Sequence, residues 1–118
     1  MIPVKQKKKP KYHNVKTVVD GIAFDSKRES IRYQVLKRWE QDGEISDLRL
    51  QVAFELFPSQ RRDGKVVELP CKYVADFVYM KDGEMVVEDV KSKATKTKDY
   101  IIKRKAMLYN FDIQISEV

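Results

Sequence analysis

Lys72-Tyr-Val-Ala-Asp-Phe-Val-Tyr79, then Asp82-Gly83, then Met85-Val-Val-Glu-Asp-Val-Lys91 is a hairpin written in sequence: two β-rich runs around an Asp-Gly turn. Asp76 on the first run and Asp89 on the second lie 13 residues apart (89 − 76 = 13), so the turn brings an acid on one strand beside an acid and a lysine on the next. Strand alternation sorts them. Val87, Asp89 and Lys91 share one face, while Val86, Glu88 and Val90 share the other. Asp76 shares its face with Val74, Val78 and Met80, where a carboxylate is costly to bury unless its charge is compensated. Two carboxylates and an ammonium meeting at one place suit a Mg²⁺ ion and a phosphate, which points to nucleic-acid hydrolysis. The plainer reading of the same residues is a cross-strand ion pair, Asp76–Lys91 or Asp89–Lys91, with no chemistry.

The flanking sequence supplies the rest of the sheet and its covering helices. Val15 to Val19 and Ile22 to Phe24 flank Asp20-Gly21, a second hairpin signal. Ser26-Lys-Arg-Glu29 is a capping box opening a helix that runs to Asp42-Gly43, with Ile31, Val35, Leu36 and Trp39 on its apolar face. Glu29 falls at the edge of that face. A capping box by itself is reason enough for a glutamate there. Leu48 to Phe57 reads as a strand with Leu48, Leu50, Val52 and Phe54 alternating on one face. A polar turn at Gln60 to Gly64 leads to a strand region that starts at Val66, breaks at Pro70 and resumes at Tyr73. Thr97 caps a helix over Lys98 to Asn110, buried through Ile101, Ile102, Ala106 and Tyr109, and Phe111 to Val118 alternates as a terminal strand. After the opening hairpin the order is helix, three strands, helix, strand: an α/β fold whose sheet is covered by helices.

Length and charge bound the function. A chain of 118 residues holds one core, and 42% hydrophobic with 36% charged residues describes a soluble globular domain. No apolar run reaches the roughly 20 residues of a membrane span, and no signal segment opens the chain. The single cysteine, Cys71, suits a reducing cytoplasm, and the single histidine, His13, has no partner at ligand spacing. Residues 1–12 read as a disordered basic arm and residues 13–118 as one domain. Six lysines precede the first acid, Asp20, so the first sixteen residues hold the whole net charge of +6. Within the neutral remainder, residues 91–105 carry seven basic side chains against Asp99 alone, a patch suited to phosphates. No Cys/His cluster suggests zinc, and no glycine-rich loop suggests nucleotide hydrolysis.

Glu29 on the first helix, Asp76 on a central strand and Asp89-Val-Lys91 on the next, in this element order, resemble the PD-(D/E)XK nuclease superfamily. More narrowly, Asp20-Gly-Ile-Ala-Phe-Asp-Ser-Lys-Arg-Glu29, Leu48-Arg-Leu-Gln51, Tyr73-Val-Ala-Asp-Phe77 and Val87-Glu-Asp-Val-Lys91 are similar to a family of small phage and prophage proteins of that type. The resemblance implies a restriction-endonuclease-like αβββαβ core with a mixed central sheet flanked by helices. It also implies that Asp76 and Asp89 hold Mg²⁺ or Mn²⁺, with the Val90 carbonyl and Glu29 completing the shell. Lys91 would orient the attacking water and steady transition-state charge, and Gln51 would be an auxiliary polar residue. Two departures stand out: Ala75 occupies the place of the motif's proline, and Glu88 adjoins Asp89, so a register error would exchange them. The expected activity is a metal-dependent DNA endonuclease in a bacterial host cytoplasm, selective for branched or Holliday-junction DNA, since no base-reading module is evident. Symmetric junction cleavage calls for a homodimer. The alternatives are a non-catalytic DNA-binding or recombination accessory protein on the same fold, and a nuclease subunit that needs a partner.

Overall fold

The computed structural model describes residues 16–118. The basic arm, His13 and the start of the first expected strand at Val15 lie outside the described residues. β1 (Thr17–Val19) and β2 (Ile22–Phe24) form the opening hairpin, followed by α1 (Lys27–Gln41) and the long strand β3 (Ser46–Phe57). Next come β4 (Gln60–Arg62), β5 (Lys65–Glu68), β6 (Cys71–Lys81) and β7 (Glu84–Asp89). A short 3-10 turn, α2 (Lys98–Phe111) and β8 (Ser116–Glu117) complete the chain. The main sheet runs β3-β6-β7-β8; its first three strands are antiparallel and β8 joins β7 in parallel, so the sheet is mixed. β1/β2, β4/β5 and β6/β7 all close through Asp-Gly pairs with both φ angles positive: 51° and 75°, 50° and 76°, 51° and 80°. Those values are the signature of type I′ turns, whose twist matches that of the strands they join.

Each helix covers one face. Tyr33 and Leu36 of α1 bury with Phe24, Ile45, Phe77 and Tyr79, while Tyr100 and Met107 of α2 bury with Leu56, Tyr73, Ala75, Val78, Val87 and Ile115. Neighbours in β7 divide accordingly, Val86 toward α1 and Val87 toward α2.

Four details differ from the sequence expectation. The buried stripe of α1 is Ser30, Tyr33 and Leu36, leaving Ile31 half exposed, because Tyr33 docks on the opening hairpin with its hydroxyl 3.0 Å from Asp20 Oδ2. In α2 the buried members are Tyr100 and Met107, with Ile102 and Tyr109 in solvent. The strand region from Val66 is a separate β4–β5 hairpin, not the beginning of β6. The last strand shrinks to Ser116–Glu117, since α2 continues through Phe111 and ends at Asp112, left-handed at φ 55°.

Candidate functional site

Asp76 sits where the strands change face. Leu48 and Leu50 pack toward α1, yet Val52 and Phe54, of the same parity, pack toward α2; Tyr73 and Ala75 lie toward α2, yet Phe77 and Tyr79 lie toward α1. Strict alternation cannot do this. The break falls at Gln51, whose φ of 53° is left-handed, and register places Gln51 opposite Asp76. The expected single face of Leu48, Leu50, Val52 and Phe54 is therefore two half-faces. At the break, Asp76 Oδ2 accepts the Val90 N–H at 2.8 Å, and Gln51 Nε2 donates to Asp76 Oδ1 at 3.4 Å. Val90 thus meets Asp76 through its amide, a different group from the carbonyl that the resemblance implied as a ligand. Burial first, then the Asp89 charge, push the Asp76 carboxyl up to about 6, against the Val90 and Gln51 hydrogen bonds that lower it.

Asp89 is 3% exposed. Its Oδ2 accepts the Tyr73 hydroxyl at 2.5 Å, while Oδ1 is buried without a hydrogen bond. Lys91 Nζ stands 3.1 Å from that oxygen, an ion pair lacking hydrogen-bond geometry. The same ammonium lies over the Tyr100 ring, 4.4 Å from its centroid, which fixes the charge at the strand end. Asp89 and Lys91 also line a cleft of about 310 Å³ with Lys72, Thr97, Tyr100 and Lys103.

Glu29 approaches from the other helix. Its N–H caps onto Ser26 Oγ at 3.1 Å, but the reciprocal carboxylate bond of a capping box is absent among the described residues. Among the described residues the carboxylate has no hydrogen-bond partner, and it is half buried. Burial first, then the charges of Asp76, Asp25 and Asp89, raise it to about 7, with Lys91 pulling the other way. Glu29 and Gln51 line a second cleft, of about 250 Å³, together with Asp25 and Leu50.

Glu88 lies on the opposite face from Asp89 and is 1% exposed. Arg32 holds it with two bonds, Nε at 2.9 Å and Nη2 at 2.7 Å, and the Tyr79 hydroxyl donates a short hydrogen bond to the same carboxylate. Arg32 follows Glu29 by one turn of α1, so this pair ties the helix that carries Glu29 to the strand that carries Asp89.

The fold thus brings Asp76, Asp89 and Lys91 together, sets Glu29 within electrostatic reach and Gln51 against Asp76, and diverts Glu88 to a buried ion pair. Among the described residues no three His, Cys, Asp or Glu side chains form a ready metal-holding group. The donors still suit a hard divalent cation: they are carboxylate oxygens, the Asp89 charge raises the pKa of both Asp76 and Glu29, and Asp89 Oδ1 is buried without a hydrogen bond. Sequence reading missed Tyr73, Tyr100, Arg32 and Asp25. Tyr73 was hidden by the parity break, and Arg32 by its distance of 56 residues from Glu88. The lysine-rich run is less free than its charge implied, since Lys96 and Arg104 pair with Glu117 at 3.0 Å and 3.1 Å.

Residues 9–117 match the model of the family described as Protein of unknown function (DUF1064), and the chain belongs to that family. No curated protein and no solved structure matches it.

Proposed function

We propose that this member of the DUF1064 family is a metal-dependent DNA endonuclease, selective for branched DNA and acting as a homodimer. The observation that carries this reading is the acidic convergence: Asp76 bonded to the Val90 amide next to buried Asp89, the Lys91 ammonium 3.1 Å from Asp89, and Glu29 raised to about 7 by burial and then by the charges of Asp76, Asp25 and Asp89. Like charges near one another lower stability, so a buried Asp89 beside Asp76, with Glu29 in electrostatic reach, is better explained by a cationic ligand than by stability.

Asp76 and Asp89 are the residues that hold Mg²⁺ or Mn²⁺ in this reading, with Glu29 contributing at the rim. The cation supplies charge neutralisation of the phosphodiester and a lowered pKa for water. The side chains do the rest. Tyr73, the Val90 amide and Gln51 fix the carboxylates through hydrogen bonds, so their oxygens need little reorganisation. Lys91, held over Tyr100, places positive charge where the phosphate gains negative charge in the transition state. Shape selectivity is the finer part of the proposal, since no base-reading module is evident among the described residues and backbone contacts are left to carry recognition.

The test is a panel of linear, nicked, forked and four-way-junction DNA with Mg²⁺, Mn²⁺ or EDTA. Metal-dependent cleavage favouring the junction is expected. Equal cleavage of every duplex would remove the junction preference, and binding without cleavage on all substrates would make the protein a non-catalytic accessory.

A further inference from the structure

Every residue from Phe57 to Pro70 is exposed, so the β4–β5 hairpin stands off the sheet as an arm. An isolated two-stranded hairpin is marginal in water, and this one also presents Val66, Val67 and Leu69 at 43, 53 and 79% exposure. Its tip is cationic. Arg62 and Lys65 are direct cross-strand partners on either side of the Asp63-Gly64 turn, and Arg61 braces that turn by donating to the Gly64 carbonyl at 3.2 Å. Among the described residues none of the three cations has an ion-pair partner. Like charges held directly opposite each other destabilise a hairpin unless an anion lies against them.

We infer that the β4–β5 hairpin is a DNA-contacting arm, with Arg62 and Lys65 at its tip neutralising duplex phosphates away from the acidic centre. The inference rests on the nucleic-acid reading above and extends it to a surface outside the acidic centre. A two-stranded ribbon matches the roughly 12 Å width of the major groove. Asp76 lies five residues into β6 from Cys71, about 17 Å along the strand, so the base of the arm stands about half a turn of duplex from the acids. The apolar side chains could instead meet a second copy of the chain, but the unpaired cations at the tip favour a polyanion.

The measurement is binding of a labelled 30-base-pair duplex and a four-way junction in EDTA, titrated across salt. Arg62→Ala with Lys65→Ala is expected to lower the slope of log K against log[salt] by about 2, with affinity down roughly tenfold or more, at an unchanged melting temperature. The charge-preserving pair Arg62→Lys with Lys65→Arg should restore wild-type binding. An unchanged slope in the double alanine variant overturns the inference while leaving any cleavage by the wild type, and so the nuclease reading, intact. A dimer that Val66→Ser with Leu69→Ser dissociates in sedimentation, with DNA affinity unaltered, also overturns it. Wild-type protein that binds neither DNA overturns both readings.

Discussion

Asp89 and Glu88 are adjacent carboxylates with opposite surroundings, and the difference separates two kinds of mutational outcome. Asp89 Oδ1 is buried and paired with Lys91 at 3.1 Å without a hydrogen bond, whereas both oxygens of Glu88 are taken by Arg32 and Tyr79. Asp89→Asn and Lys91→Ala are therefore expected to cut cleavage by about 10²-fold or more with DNA binding retained, as read by single-turnover rates and gel shifts. Glu88→Ala acts on stability instead. It strands the Arg32 guanidinium, three-quarters buried, and should cost about 3 kcal/mol in urea unfolding, a milder direct effect on cleavage notwithstanding. Rates for Glu88→Ala that fall as far as those of Asp89→Asn, in protein shown to be folded, would mean both acids serve the site. Alternation along β7 was enough to separate the two residues by face. It could not show that Glu88 is buried, because its neutralising partner is set by how α1 lies across the sheet.

At the scale of elements, the legible parts were those with local causes: the Asp-Gly turns, the Ser26 and Thr97 caps, and the helix–strand order. The illegible part was the face change at Gln51, since period-two reading assumes extended backbone at every residue and a single left-handed one inverts everything beyond it. β3 and β6 each serve the α1 core at one end and the α2 core at the other, with Asp76 opposite Gln51 at the crossing point. A comparison of two variants tests it, because both delete the 3.4 Å Gln51–Asp76 bond and differ only in backbone preference. Gln51→Gly should match or exceed wild-type stability, while Gln51→Val should fall about 1–2 kcal/mol below the glycine variant in urea unfolding. Equal stabilities would mean that the left-handed turn is not held in solution.

For the whole molecule, the acids make stability depend on pH in a direction opposite to that of ordinary surface carboxylates. Glu29 rises from 4.5 to about 7 and Asp76 from 3.8 to about 6, so between about pH 4 and 7 the folded chain binds more protons than the unfolded chain. Stability from these two groups is full below about pH 4 and is lost as pH rises through their folded values. Glu117 works the other way: hydrogen bonds from Tyr100 and Lys96 lower it to about 2, so its contribution is present above 4.5 and lost on acidification. The metal-free protein should accordingly melt highest near pH 5 and lower at both pH 8 and pH 3. In the proposed reading a divalent cation competes with the very protons that relieve the acidic centre. Mg²⁺ should therefore raise the melting temperature more at pH 8 than at pH 5.5, and binding at pH 6.5 should release protons measurable by titration in buffers of different ionisation enthalpy. Asp89→Asn should abolish the Mg²⁺ shift and flatten the fall toward pH 8, because it removes a charge that raises both Glu29 and Asp76. A Mg²⁺ shift of equal size at both pH values, or one surviving in Asp89→Asn, would place the cation elsewhere on the molecule and separate the acidic convergence from the chemistry proposed for it.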